Sequence, residues 1–355
     1  MIKKKRIGFE ILFILLLLIS ATGCGLIGKE DDDGGDFKRV DAGLEMEFVA
    51  NSPGDRYLIA GEAGAEEAID IIIDLRNKGT FPEGDKFEEG TIYLGGFDDD
   101  IIRLVSKSET LKGRFLPAAS TLNPNGGFDT VEFVGKIIGN KIAIDEYNPT
   151  IMVTACYKYA TRASPTVCID PSPYDERQEK VCRIGSQTLP SQGAPIAVTK
   201  IEQEAATGKI QFKIHIKNTG GADVFKPGDD TLNKCSPLGG GRLDRKDFDR
   251  VVLKKLQIGS VDLLGDGRCS PFADGTNNII RLFNGEGFVI CILDVRELGN
   301  VQSAYTTPLN IELEYNYRST ISKQIMIKKL ETIGGPGPES RQIISVSESA
   351  IETFK

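Results

Sequence analysis

Along residues 69–85, IDIIIDLRNKGTFPEGD, apolar positions alternate with polar ones, and the alternation returns along residues 210–229, IQFKIHIKNTGGADVFKPGD. With Asn77 set on Asn218, Ile69 falls on Ile210, Ile71 on Phe212, Ile73 on Ile214 and Leu75 on Ile216, while Gly79 falls on Gly220. Taken alone, the first copy also reads as a helix, because AEEAIDIIIDLRNKG is rich in helix formers and ends in a Gly where a C-cap belongs. The second copy decides: QFKIHIK has period two and β-branched residues, so both are expected to be strands buried on one face. Two copies imply two similar domains.

The same alternation predicts further strands. In the first half they are residues 44–48 (LEMEF), 91–94, 101–106, 130–138 and 150–159, with turns at 51–55 and 123–127. In the second half they are 195–200, 251–258, 279–283, 288–293, 309–317 and 322–327. The repeat resumes late, Tyr157 and Tyr159 corresponding to Tyr315 and Tyr317. Short strands separated by turns every ~8–12 residues predict an all-β chain of two tandem β-sandwiches with immunoglobulin-like pairing. The expected division is 44–169 for the first sandwich, 170–194 for a linker carrying Pro171, Pro173 and Pro190, 195–332 for the second sandwich and 333–355 for a tail. Each half is long enough to bury about two thirds of its unfolded surface and hold its own core.

A strand, then NKGTFPEGD or NTGGADVFKPGD, then a late strand resembles the CARDB-type immunoglobulin-like modules found in tandem on prokaryotic surface proteins, where an Asn-x-Gly follows the second strand. The likeness covers roughly residues 44–168 and 195–327. It implies the fold and a setting in surface adhesion or assembly, and carries over no functional residue. From the residues themselves, Gly79 and Gly220 are expected to permit a turn with positive φ.

The amino terminus changes the picture. Residues 1–23 have the form of a signal peptide: Lys3, Lys4, Lys5 and Arg6, an apolar run over 11–19, then Ser20, Ala21, Thr22 and Gly23 before Cys24. Ala21-Thr22-Gly23-Cys24 resembles the lipobox of prokaryotic lipoproteins, which implies lipidation of Cys24 and a membrane partner through that anchor at the cell membrane or surface. Plain secretion or an uncleaved anchor is the other reading. Residues 24–43 then form a tether, its Asp31, Asp32, Asp33 and Asp36 a solvated spacer. Cleavage removes four cations and Glu10, a net +3, so the formal charge passes from -8 to -11. That balance disfavours nucleic acid and anionic membrane faces as partners.

Six further cysteines, Cys156, Cys168, Cys182, Cys235, Cys269 and Cys291, read as disulfides in an exported chain. With no CxxC pair and no histidine cluster beside them, no metal site is expected. Three precede the junction and three follow it, so full oxidation requires an odd number of bridges between the halves. The expected pairing is Cys156 with Cys168 across a terminal hairpin, Cys269 with Cys291, and Cys182 with Cys235 as the tie, worth about 3–4 kcal/mol.

Candidate chemistry is sparse. His215 is the only histidine, placed with Lys213 and Lys217 on the polar face of its strand, so it should point to solvent and cannot supply a triad or a multi-histidine metal centre. P-loop, GxSxG and HExxH motifs are absent. Asp98, Asp99 and Asp100 read as an exposed loop before a calcium site. Neither enzyme activity nor a cofactor is expected. Tyr157 and Tyr159, or Tyr315 and Tyr317, put two rings on one strand face, either as a stacking platform for sugars or as core packing with hydroxyl bonds to the backbone. Residues 235–249, containing LGGGRLDRKDFD, are a long loop with two readings: a binding loop, or a structural excursion held by Cys235. The expected function is a lipid-anchored structural or interaction protein in adhesion or envelope assembly, its partner an unidentified surface protein or glycan. The alternative is carbohydrate binding through the Tyr faces or the 235–249 loop, and a paired-carboxylate hydrolase comes last.

Overall fold

Ile69, Ile71, Ile73 and Leu75, each at most 1% exposed, point inward along β3 (Glu66–Asn77), so the repeated stretch is a strand in both halves. The computed structural model describes residues 39–330 apart from 176–178, 207, 240, 274, 276 and 277. The expected signal peptide, Cys24, the four spacer aspartates and the tail from 333 onward lie outside the described residues.

Two sheets carry the duplication. In the first half β1 (Leu44–Phe48), β3, β7 (Phe128–Ile138) and β5 (Ile102–Leu104) lie side by side in that order. In the second half β12 (Ile196–Ala206), β13 (Lys209–Asn218), β19 (Glu286–Asp294) and β17 (Cys269–Ser270) repeat it, with β11 (Ser186–Thr188) added outside β12. The stretch expected as a linker thus supplies a strand. A small third sheet joins β8 (Glu146–Tyr147), β21 (Met326–Leu330) and β2 (Arg56–Ala60), so the last described strand of the second half pairs with one early and one late strand of the first.

The largest sheet is shared by both halves. Its order is β6 (Ser108–Thr110), β4 (Gly90–Gly95), β9 (Thr150–Ala163), β20 (Tyr305–Gln324), β15 (Arg250–Ile258) and β16 (Val261–Asp262), with β10 (Thr166–Ile169), β14 (Asp223–Phe225) and β18 (Ile279–Arg281) attached at its sides. One antiparallel register runs without a slip from Glu146↔Lys328, through Thr150↔Gln324 and Ala163↔Ile311, to Ile169↔Tyr305. Lys158 faces Asn316, its own counterpart in the repeat, and Tyr157 and Tyr159 face Tyr317 and Tyr315. The register therefore relates the two halves by a pseudo-twofold through the Lys158–Asn316 pair. One apolar cluster, from Leu44 through Val153 to Ile327, fills both halves.

β20 runs from residue 305 to 324, where the sequence pattern predicts separate strands at 309–317 and 322–327. Its neighbour β9 explains the difference, because a paired strand continues wherever backbone partners do, even through polar stretches such as Arg318, Ser319 and Thr320.

Candidate functional site

The four tyrosines proposed as a stacking platform lie in the core. Tyr157, Tyr159, Tyr315 and Tyr317 are 1%, 0%, 0% and 3% exposed, which corrects the sugar-platform reading. Their odd-numbered positions share the buried face with Val153 and Ala155, and across the pseudo-twofold they form a cluster with ring centroids 5.8–6.4 Å apart. Each hydroxyl has a structural partner, and the partners repeat. Tyr159 donates to Asn77 Oδ1 at 3.1 Å as Tyr317 donates to Asn218 Oδ1 at 3.4 Å. Tyr157 Oη accepts the Leu44 N–H at 3.3 Å as Tyr315 Oη accepts the Ile196 N–H at 3.4 Å.

The repeated glycine belongs to the same clasp. Positive φ is found at Gly221, not at Gly79 or Gly220, so the expected turn geometry is corrected. The requirement is room: a Cβ on Gly79 would come within 1.9 Å of Tyr159 Oη, and one on Gly220 within 2.5 Å of Tyr317 Oη. Asn77, fully buried, also donates from Nδ2 to the carbonyls of Phe81 and Leu116 at 2.8 and 3.0 Å. The Asn-x-Gly motif and the late tyrosine are thus two ends of one tie across each sandwich.

Burial holds all four phenols above the ordinary tyrosine pKa. In the unfolded chain they ionise near the ordinary tyrosine value, about 10, so the folded state keeps protons that the unfolded state sheds above that pH. Stability is complete below about pH 10 and falls as pH rises beyond it, by about 1.4 kcal/mol per pH unit for each such phenol. Parallel alkaline titrations by circular dichroism and phenolate absorbance are expected to show these tyrosines ionising only as the fold opens; ionisation with the β signal intact contradicts the burial.

On the opposite face of the shared sheet residues 226–239 and 241–249 fold back as an ordered excursion. It contains α1 (Asp229–Lys234), with Asp229 and Asp230 in the first turn and Lys234 paired to Asp230 at 2.6 Å. Phe225, Cys235 and Leu243 build a second small core against Cys156, with Tyr93, Leu232 and Phe248 around it. Buried Asn316, at the pseudo-twofold, donates to the Gly228 carbonyl at 3.0 Å and Thr231 Oγ1 at 3.2 Å. Cys156–Cys235 fastens the whole to β9. The rim of the excursion presents Arg242, Arg245 and Lys246 to solvent, with Leu238 partly exposed beside them. Further along the same sheet face Lys158 lies between Glu88 and Glu314 at 3.6 and 3.7 Å, and Arg162 between Glu83 and Glu312 at 2.8 and 3.6 Å. Each carboxylate of this row has a cation beside it, an arrangement that holds a sheet face together.

Two of the expected disulfides exchange partners. The bridges are Cys156–Cys235, Cys168–Cys182 and Cys269–Cys291, so the last stands as expected and exactly one bridge crosses between the halves. Cys156 and Cys168 cannot meet because β9 and β10 lie end to end on the same β20 ladder, with no hairpin between them. Twelve positions along a strand span about 40 Å, against the roughly 4–7 Å between Cα atoms that a disulfide allows.

His215 is partly exposed beside Glu202, at 3.5 Å, and the Phe288 ring. Asp98, Asp99 and Asp100 occupy an exposed turn in which Asp98 Oδ1 accepts the Asp100 N–H at 2.8 Å and Asp99 pairs with Lys107 at 2.7 Å. No cluster of potential metal ligands occurs among the described residues. A cleft of about 1090 Å³ lies between residues 170–175 and 179–184 on one side and β12 on the other, lined by Asp170, Tyr174, Lys180, Arg183, Gln203 and Glu204. Its inner polar groups serve its own walls: Lys180 pairs with Asp170 at 2.7 Å, Tyr174 donates to the Ala205 carbonyl, and the Gln203 amide spans the N–H and C=O of Cys168.

The fold defines a class: an all-β protein of mostly antiparallel sheets packed as sandwiches, stapled by disulfides. No protein-family model matches the chain, and no curated protein matches it either.

Proposed function

We propose that the chain is an exported, lipid-anchored interaction protein whose two halves are immunoglobulin-like modules of CARDB type, working in surface adhesion or envelope assembly. The observation that carries this reading is the stapled excursion. A long insertion with an exposed rim of Arg242, Arg245 and Lys246 is fixed by a buried disulfide to the face of a sheet shared by both halves, which presents a contact surface already ordered before a partner arrives. Three disulfides support an oxidising compartment, in agreement with export. Attachment through Cys24 supplies the membrane partner, and the rim supplies the contact with a surface protein or glycan.

Two measurements test it. A Cys24→Ala chain is expected to leave the membrane fraction, and one that still partitions with membranes contradicts the anchor. Photo-crosslinkers placed at Arg242, Arg245 and Lys246 in cells are expected to capture one and the same envelope component, whereas a crosslinker at Lys141 does not. Equal adducts from all positions, or none, count against the rim as the contact surface.

A further inference from the structure

We propose that the free edge of β1 takes up an extended, basic segment of a partner protein, added as an extra strand alongside Glu45 and Glu47. This deepens the interaction reading and rests on it.

The pseudo-symmetry breaks at the outer edges of β1 and β12. In the first half the bonds Lys78 N–H to Gly43 C=O and Val49 N–H to Ile72 C=O tie the odd-numbered residues of β1 to β3. By antiparallel alternation, the backbone groups of Leu44, Met46 and Phe48 then point away from the sheet. In the second half Thr219 donates to the Pro195 carbonyl, so Ile196 and Val198 take the corresponding outward positions on β12. Leu44 pairs with Asn77 and Ile196 with Asn218, and Met46 pairs with Leu75 as Val198 pairs with Ile216, which makes Met46 the counterpart of Val198.

The first outward N–H is closed identically in both halves, by Tyr157 on Leu44 and by Tyr315 on Ile196. The next position differs. Gln192 closes Val198 completely, its Oε1 accepting the Val198 N–H at 2.8 Å and its Nε2 donating to the Val198 carbonyl at 3.1 Å. Beyond it Leu189 donates to the Thr199 carbonyl at 2.9 Å and β11 continues the cover. Gln192 stands four residues before Ile196; four residues before Leu44 stands Val40, whose side chain forms no hydrogen bond. Among the described residues, the N–H and C=O of Met46 meet no partner on that side. One half seals its edge with a side-chain amide and a strand, and the other leaves it open.

The chemistry of the edge selects the occupant. Glu45 and Glu47 alternate with Leu44 and Met46, exposed on the solvent side of β1, and among the described residues Glu45 has one cation near, Lys78 at 3.9 Å, and Glu47 none. A second copy pairing through β1 would set glutamates against glutamates, which cross-strand energetics oppose. An incoming strand with Lys or Arg on the solvent side and apolar residues toward half-buried Phe48 satisfies both the backbone and the charges.

Hydrogen exchange on the full oxidised chain tests this, with the capped peptide Thr-Val-Lys-Val-Lys-Val-Thr and its Glu-for-Lys counterpart as probes. The Met46 and Phe48 amides are expected to exchange freely in the unliganded protein and to slow at least about tenfold with saturating basic peptide, while the Glu45 and Glu47 amides, bonded to β3, do not change. The acidic peptide has no effect. Val40→Gln, which copies the seal of the second half, is expected to protect Met46 without peptide and to abolish binding. Glu45→Lys with Glu47→Lys reverses the peptide preference. Protection of Met46 in the unliganded chain, or equal binding of both peptides, overturns the proposal. Peptide binding that leaves Met46 exchange unchanged also overturns it, yet leaves the interaction reading standing, since the rim of the excursion is a separate surface read by the crosslinks.

Discussion

Removing the Cys156–Cys235 bridge, as Cys156→Ala with Cys235→Ala, is expected to cost about 4.5 kcal/mol of unfolding free energy. The bridge closes a sequence separation of 79 residues, against 22 for Cys269–Cys291 and 14 for Cys168–Cys182. Since the denatured chain loses more freedom when a longer loop is closed, the other two deletions are expected to cost less, about 3.4 and about 3.0 kcal/mol. Both sulfurs of the long bridge also belong to the small core under the excursion, so its loss is felt locally as well. Guanidinium titrations of the three alanine pairs give the ranking. Trypsin supplies the local readout: cleavage after Arg242 and Arg245 should accelerate in the Cys156–Cys235 variant well before the shared sheet opens. If all three variants lose equal stability, or the excursion resists trypsin as before, the staple is not what holds it.

What could be read from the sequence, and what could not, follows from which side of a strand carries the information. Ile69 to Leu75 and Ile210 to Ile216 face a core on one side only, so their alternation reports the strand and its buried face directly. The tyrosines were readable on the same ground: Tyr157 and Tyr159 have the parity of Val153 and Ala155, which is what the core-packing reading of the two requires. The joining of β9 to β20 was hidden. Lys158, Arg162, Glu312 and Glu314 make the far side of these strands look like an ordinary solvated face, and backbone pairing between strand edges leaves no mark on side-chain hydrophobicity. Without the shared ladder, Cys156 and Cys168 looked like neighbours across a hairpin. The parity of the cysteine count did not depend on topology, and one bridge crosses between the halves as parity requires. The excursion was visible as a long insertion, but its order rests on Asn316, Phe225 and Cys156, all far from it in sequence or outside its own pattern.

The clasp offers the sharpest test of the duplication. Gly79→Ala is expected to cost about 3–4 kcal/mol, because the new methyl meets Tyr159 Oη at 1.9 Å and the carbonyls of Ala42 and Gly193 at 2.6 and 2.7 Å, and two of those three neighbours are backbone. Tyr159→Phe alone removes one hydroxyl and leaves Asn77 Oδ1 buried without its donor, a loss of about 1–2 kcal/mol. Combined, the two should cost less than their sum by on the order of 1 kcal/mol, since deleting the hydroxyl removes the closest obstacle to the methyl. The remaining carbonyls keep the relief partial. In the second half the same cycle, Gly220→Ala with Tyr317→Phe, should give smaller losses, because the nearest approach is 2.5 Å and Asn218 is only half-buried, where Asn77 is fully enclosed. Coupling of the same sign in both halves, read by urea unfolding of the six variants and their common parent, ties the Asn-x-Gly motif to its tyrosine as a single device used twice. Strict additivity in either half would mean that the glycine is required there by the backbone carbonyls alone, and that the tyrosine hydroxyl sits beside it without determining it.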